Sequence, residues 1–145
     1  MKEDQANCVF CKILRGELPR SLIYEDQSVL VFPTLEPVNE GHLLIIPKKH
    51  SVYFSDLDEE VAAHIMKIAK KMTAALRKSK FKCEGVNLFL ADGEASGQEV
   101  FHFHLHVYPR YVSDGWGFKI DPKRHLIAQQ RHALDSVANE IRKHL

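Results

Sequence analysis

The segment that decides the fold is Val100-Phe101-His102-Phe103-His104-Leu105-His106-Val107-Tyr108. Imidazole and apolar side chains alternate through its centre, and successive side chains of a β-strand point to opposite faces of the sheet. The alternation therefore predicts a strand over residues 100–108, ended by Pro109. Its three imidazoles share one face, about 6.6 Å apart. Phe103, Leu105 and Val107 face the core.

A row of imidazoles on one face of a strand suits two kinds of chemistry. His-x-His can place two nitrogens on one metal ion. Alternatively, the central His104 can attack phosphorus as a neutral imidazole, while a neighbouring imidazole holds anionic oxygens or assists the leaving group. A polar face exposed to water is the third interpretation, and three histidines at strict period 2 disfavour it.

The loop before this strand has features of an anion site. Gly93 and Gly97 allow backbone N–H groups to approach a phosphate closely. Gln98, next in sequence, can donate its side-chain amide to a phosphate oxygen. The loop and the histidine row together favour phosphoryl chemistry over a metal-only site.

The other short apolar runs have the length of buried strands. They are residues 8–13, 28–32, 41–46 and 85–91. From Asp56 to Lys80 the apolar period changes to that of an amphipathic helix, with Ser55 as its cap. A last helix is predicted from Arg124 to His144, with an apolar face formed by Ile127, Leu134, Val137, Ala138, Ile141 and Leu145. The order predicts an α+β fold with a mostly antiparallel sheet, one long crossover helix and a C-terminal helix.

Length and charge restrict the class of protein. The 145 residues fit one domain, residues 1–145. Twenty basic and 19 acidic residues give a net charge of +1, which argues against a partner held by bulk charge, such as nucleic acid or a membrane surface. No apolar run approaches the ~20 residues of a membrane helix. The polar N-terminus lacks a secretory signal, so a cytoplasmic protein is expected.

Cys8 and Cys11 form a C-x-x-C motif. In a reducing compartment this spacing is typical of metal or redox chemistry. One such pair supplies half of a tetrahedral metal site. The alternative is two small side chains packed near a sheet edge.

Taken together, these motifs make the chain similar to the histidine triad (HIT) proteins. The triad signature is His102-Phe-His104-Leu-His106-Val-Tyr, and a second signature is Gly41-His42-Leu-Leu-Ile-Ile-Pro47-Lys-Lys-His50. Cys8-Val-Phe-Cys11, Gly85-Val-Asn87, Gly97-Gln98 and Pro109-Arg110-Tyr111 extend the resemblance over most of the chain.

The resemblance implies a five-stranded antiparallel sheet, a homodimer, and attack on the α-phosphorus of a nucleoside phosphate. His104 would become nucleotidylated, His106 would contact the phosphate or help the leaving group, and His102 would orient the nucleophile. The resemblance further implies that Gln98 touches the phosphate and that His42 supports the site. The residues it places around the nucleotide are Phe10, Ile13, Thr34, Leu35, Asn87 and Gly97.

The chain departs from the family at two positions. Thr34 stands where an Asp or Asn commonly holds the ribose hydroxyls, and Ala91 stands where many members carry Asn or Gln. A buried hydrogen bond to a charged group contributes about 1.5–3 kcal/mol, so losing two would weaken nucleoside affinity about tenfold or more. The sequence therefore predicts the type of reaction more firmly than the identity of the nucleotide.

Some branches of the family bind structural zinc through a Cys pair, the His of Pro-Lys-x-His and the first triad His. The matching residues are Cys8, Cys11, His50 and His102. If zinc binds there, His102 is a metal ligand that fixes the strand carrying His104.

Three functions therefore compete. The first is a nucleotidyl hydrolase or transferase, acting on dinucleoside polyphosphates, phosphoramidates or aminoacyl adenylates. The second is a non-catalytic nucleotide-binding regulator, with the triad as an anion clamp. The third is a hydrolase with a catalytic metal on the three histidines, which the lack of a nearby carboxylate ligand disfavours.

Overall fold

A computed structural model describes residues 5–117 and 128–145, and its centre is one antiparallel sheet. The sheet order is β1-β2-β3-β5-β4, and every neighbouring pair is antiparallel. The strands are β1 Tyr24–Glu25, β2 Val29–Pro33, β3 Leu43–Pro47, β4 Gly85–Phe89 and β5 Leu105–Arg110. The predicted α+β class with a five-stranded antiparallel sheet is confirmed.

The α-helices of the described residues are α1 Val9–Leu14, α2 Glu59–Lys78 and α3 Arg131–Arg142. The long crossover helix α2 connects β3 to β4, as predicted, but it begins later than expected. Ser55 lies in a separate 3-10 turn, Phe54–Asp56, and the N-cap of α2 is Asp58. The periodicity of the apolar residues located the helix, whereas the chain reversal before it set the first residue.

The prediction of a strand over residues 8–13 is wrong. This run forms the helix α1, with Cys8 as its N-cap, and buries Phe10, Cys11 and Ile13 against the sheet. A short apolar run is compatible with either element, because periodicity cannot be read over so few residues.

The two faces of the sheet are covered by different helices. Val31, Ile45 and Val107 belong to the core that packs on α2. Leu30, Phe32, Leu44 and Ile46 face the other way and pack with α1. Leu44 is the register partner of His106, so the triad face is the α1 face. Phe103 and Leu105 lie in the α2 core, which confirms the predicted alternation.

The limits of β5 differ from the prediction. β5 starts at Leu105, because the N–H of Phe103 donates to the carbonyl of Ser51, 2.6 Å away, and not to a strand. His102 and His104 thus precede the regular strand. β5 also continues through Pro109 to Arg110. β3 pairs only with Leu105–Val107, so one side of Pro109 has no partner strand and its missing N–H is tolerated.

The C-terminal helix is shorter than predicted, and its first part, residues 124–127 with Ile127, lies outside the described residues. Leu134, Val137 and Ile141 of α3 are exposed, and none of its residues is buried. Within residues 5–117 and 128–145, no helix has the length and apolar character needed to cross a membrane.

Candidate active site

The central histidine, His104, is held with one nitrogen free. Its Nδ1–H donates to the carbonyl oxygen of His102 at 2.8 Å. A carbonyl only accepts, so Nδ1 carries the proton of the neutral ring and Nε2 keeps a lone pair. Phe10 contacts the ring edge-on, with 5.1 Å between centroids, and His104 is buried. The local geometry presents Nε2 as a nucleophile.

The third histidine, His106, has the opposite tautomer. The backbone N–H of Val38 donates to His42 Nδ1 at 3.0 Å, so the proton of neutral His42 is on Nε2. That N–H donates to His106 Nδ1, 2.9 Å away. His106 therefore accepts at Nδ1 and carries its own proton on Nε2. The ring that carries this donor lies next to the ring of His104, with 4.9 Å between the two centroids.

Burial keeps these rings neutral. It lowers the pKa of His42 to about 4. Burial, followed by the neighbouring His104 and His42, lowers the pKa of His106 to about 3. Burial also lowers the pKa of His104, although its bond to the His102 carbonyl and the Glu99 carboxylate oppose this. A neutral imidazole is the nucleophilic form and is present at neutral pH.

The first histidine, His102, is fully buried and faces the cysteine pair. Its Nε2–H donates to the carbonyl of Pro47 at 2.9 Å, which leaves the Nδ1 lone pair free. Nδ1 lies 3.5 Å from the Sγ atoms of both Cys8 and Cys11. The remaining contact is 3.2 Å, between Cys11 Sγ and His50 Nδ1.

These four side chains can hold a metal ion. Their ligand atoms all lie within 4.8 Å of one another. Tetrahedral zinc with thiolate and imidazole ligands separates a sulfur donor from a nitrogen donor by about 3.5 Å, which is close to the observed sulfur–nitrogen distances of 3.2 and 3.5 Å. The second nitrogen of His102 is bound by a backbone carbonyl, as is usual for metal-ligating histidines.

The loop before the triad is closed on itself. The Gln98 amide donates to the carbonyls of Val52 and Val100 at 2.9 and 3.1 Å. Its oxygen accepts the N–H of Gly93 at 2.7 Å. The N–H of Gly97 bonds to the carbonyl of Glu94. The amide of Gln98 thus anchors the loop here, and its contact with phosphate stays a prediction.

The residues predicted to surround the nucleotide differ in exposure and in the contacts that they make, and their role in binding stays a prediction. Phe10 and Ile13 are buried beneath the triad face, whereas Leu35 is 99% exposed. Thr34 is partly exposed and donates its backbone N–H to the His42 carbonyl. Asn87 Oδ1 accepts from Arg110 Nη1 at 2.8 Å. Ala91 is buried. Phe10 alone of this set contacts a triad ring among the described contacts.

Further aromatic side chains lie next to the histidines. Tyr108 lies against the ring of His42, with 4.9 Å between centroids, and Trp116 contacts Tyr108 edge-on at 6.4 Å. Val38 takes part through its backbone N–H, so its side chain carries no sequence signal. Outside this region, His64 of α2 is partly buried and bonds to Asp26 at 2.6 Å.

The sequence profile of the HIT domain matches residues 15–113, which include His50 and the triad. The chain belongs to the HIT family. A solved structure of a HIT family protein from Bacillus anthracis is 38% identical to it, covers 96% of this chain and 97% of its own, and has a TM-score of 0.87.

Two further relatives of this HIT protein bear on its chemistry. A Zn-bound histidine triad family protein from Mycobacterium smegmatis is 39% identical, over 83% of this chain and 87% of its own, with a TM-score of 0.74. The adenylylsulfatase HINT3 of Arabidopsis thaliana is 34% identical, over 97% of this chain and 71% of its own length. The family therefore includes hydrolases and a zinc-bound member.

Proposed function

We propose that this HIT protein is a nucleotidyl hydrolase or transferase that acts at the α-phosphorus of a nucleoside phosphate through a nucleotidyl-His104 intermediate. The opposed tautomers of His104 and His106 are the observation that carries the proposal. One ring offers a lone pair and its neighbour offers an N–H, and the two are the nucleophile and the hydrogen-bond donor that transfer at phosphorus requires.

The reaction has two steps. In the first, the Nε2 lone pair of His104 forms a bond to phosphorus and the bond to the leaving group breaks with its electron pair. His106 Nε2–H donates a hydrogen bond to the oxygen or nitrogen on which negative charge develops, and a basic leaving group takes its proton from water. In the second, water attacks phosphorus, the P–N bond breaks, and His104 returns to its neutral form as the water proton passes to solvent.

The sequence similarity to an adenylylsulfatase supports hydrolysis of a nucleotidyl bond as the reaction. We infer dinucleoside polyphosphates or phosphoramidates as the substrate type. The homodimer and the cytoplasmic location that the sequence predicts stay predictions.

We further propose that Cys8, Cys11, His50 and His102 bind structural zinc. The sulfur–nitrogen distances and the zinc-bound relative support this assignment. Zinc would supply no step of the reaction, because each of its four ligands comes from the protein and a closed site has no open position. It would cross-link α1 to the chain before β5, and so fix the carbonyl of His102 that holds His104.

A non-catalytic nucleotide-binding regulator is the second candidate. Thr34 and Ala91 favour it, because the Thr34 hydroxyl can make one hydrogen bond to the ribose but not the two of a carboxylate, and the Ala91 side chain makes none. Tight nucleotide binding without turnover of any substrate would support this function over the first.

The test is turnover of adenosine 5′-phosphoramidate and of a dinucleoside polyphosphate, with intact-mass measurement after rapid alkaline quenching. We expect wild type to release AMP and to gain one adenylyl group on His104. His104→Ala removes the nucleophile, so its turnover should fall by about 10⁴-fold or more. His132→Ala, which removes an exposed imidazole of α3, is the matched control and should match wild type. Turnover of His104→Ala at the wild-type rate would exclude His104 as the nucleophile.

A further inference from the structure

Asp114 is the centre of a cluster of hydrogen bonds that includes Arg110 and Asn39. Its side chain is 3% exposed, and Arg110 binds it through Nε and Nη2 at 2.6 and 2.8 Å. The backbone N–H groups of Tyr111 and Trp116 also donate to it, at 3.4 and 3.1 Å. Arg110 holds the pKa of Asp114 well below its usual range, so the carboxylate is an acceptor only.

Asn39 connects this carboxylate to the turn before His42. Its Nδ2 donates to Asp114 at 2.8 Å and to the carbonyl of Pro109 at 2.9 Å. Both partners are acceptors, which fixes the orientation of the Asn39 amide. The backbone carbonyl of Asn39 accepts a hydrogen bond from the backbone N–H of His42 at 3.1 Å. Asn39 is thus held through its side chain and bound to His42 through its backbone.

The residue before Asn39 supplies the donor that sets the His42 tautomer. Since Asn39 is fixed, the adjoining N–H of Val38 stays directed at His42 Nδ1. Without that donor, His42 could place its proton on Nδ1. The bond between the two histidines would then reverse, with His106 donating from Nδ1 and presenting a lone pair at Nε2 to the phosphate.

We propose that Asn39, held by Asp114, is a positioning residue that keeps His106 as an Nε2–H donor through Val38 and His42. The inference rests on the proposed function for its catalytic consequence, but the tautomers themselves can be measured whether or not the protein turns over a substrate. The positioning contact joins two distant parts of the sequence, because Asp114 and Asn39 are 75 residues apart.

The experiment is ¹⁵N NMR of the histidine rings in the full chain, in which protonated and unprotonated ring nitrogens have well-separated shifts. In wild type we expect His42 and His106 each to carry a proton on Nε2 and none on Nδ1. In Asn39→Ala we expect the His106 Nδ1 signal to move toward the protonated position. With the same variant, turnover should fall about threefold to tenfold.

Asp26→Asn is the matched control, because it removes hydrogen bonds of a partly buried carboxylate outside the site. It should leave the ¹⁵N shifts of His42 and His106 unchanged, even where it lowers stability. A proton on Nδ1 of His106 in wild type would overturn the inference without using any variant. The inference would also be overturned if the Asn39→Ala variant folded, lost stability and kept the wild-type ¹⁵N shifts. Asn39 would then have only a structural role.

If wild type shows the expected tautomers but turns over no substrate, the proposed function fails and the positioning role of Asn39 stands. If turnover occurs and the tautomers do not respond to Asn39→Ala, the proposed function stands and the positioning role of Asn39 fails.

Discussion

Each histidine of the triad owes its state to one acceptor or donor that it contacts. The backbone carbonyl of His102 sets His104, the backbone N–H of Val38 sets His106 through His42, and the carbonyl of Pro47 sets His102. Three chemically identical side chains thereby become a nucleophile, a hydrogen-bond donor and a candidate metal ligand. The differences arise because a neutral imidazole has one proton, so fixing one nitrogen defines the other.

Neutral, buried His42 links stability to pH. Its pKa falls from 6.5 to about 4 on folding, so the unfolded chain binds more protons between these values. The contribution of neutral His42 to the free energy of unfolding is therefore fully present above about pH 6.5, and it is lost as the pH falls toward 4. We expect His42 to contribute about 2–3 kcal/mol to that decrease.

Urea unfolding at about pH 7 and about pH 4.5 measures the effect. His42→Asn keeps an acceptor for the N–H of Val38 but does not titrate in this range, so its loss of stability between the two pH values should be smaller than in wild type. His132→Ala should keep the wild-type difference. An equal difference in His42→Asn and wild type would contradict the assignment.

At the scale of elements, Asp26 joins the turn between β1 and β2 to α2. It accepts hydrogen bonds from Tyr24 Oη–H, from the backbone N–H groups of Ser28 and Val29, and from His64 Nε2. Burial alone would raise the pKa of Asp26, but the bonds from His64, from the two N–H groups and from Tyr24 hold it below the usual range. The carboxylate therefore stabilises the fold above the pKa of the unfolded chain, and this contribution is lost as the pH falls through the folded value.

Asp26→Asn should lower the free energy of unfolding at neutral pH by about 1–3 kcal/mol, because an amide oxygen accepts more weakly than a carboxylate and its NH₂ group cannot accept from His64 or Tyr24. Chemical denaturation at neutral pH measures this. Asp58→Asn, which changes an exposed carboxylate that pairs with Lys49 at 3.1 Å, is the control and should cost less than about 1 kcal/mol. Equal losses in the two variants would refute the role of Asp26.

At the scale of the molecule, the candidate zinc site joins α1, the end of β3 and the chain before β5. A metal that binds only the folded protein stabilises it by mass action. We expect about one zinc per chain in metal analysis, and chelation should lower the melting temperature by roughly 5–15 °C, which corresponds to about 2–4 kcal/mol.

Cys11→Ser removes one ligand and serves as the comparison for the metal effect. Its melting temperature should already be low and should respond little to chelation. Cys83 is partly buried against the α2 core and is not one of the four candidate ligands, so Cys83→Ser is a control for loss of a thiol and should bind zinc like wild type. Wild type that carries no metal and gains no stability when zinc is added would exclude the site.

The sequence alone determined the alternation of the triad, the amphipathic period of α2 and the class of the sheet, because each is a repeating pattern that burial of one face imposes. It also supplied the cysteine pair and, through the family resemblance, the four candidate ligands. The first and last residues of the helices and strands were predicted less accurately from the sequence. Cys8–Ile13 is too short to show a period, and β5 starts late because Ser51, distant in sequence, takes the N–H of Phe103.

Only the tertiary structure decided the states of the histidines. The alternation shows that three imidazoles share a face, but it does not show which nitrogen each ring protonates. That choice depends on the backbone groups of Val38, Pro47 and His102, and any residue type carries the same carbonyl and almost any the same N–H. The link from Asp114 through Asn39 to His106 is hidden for the same reason, since its decisive bond is made by the main chain.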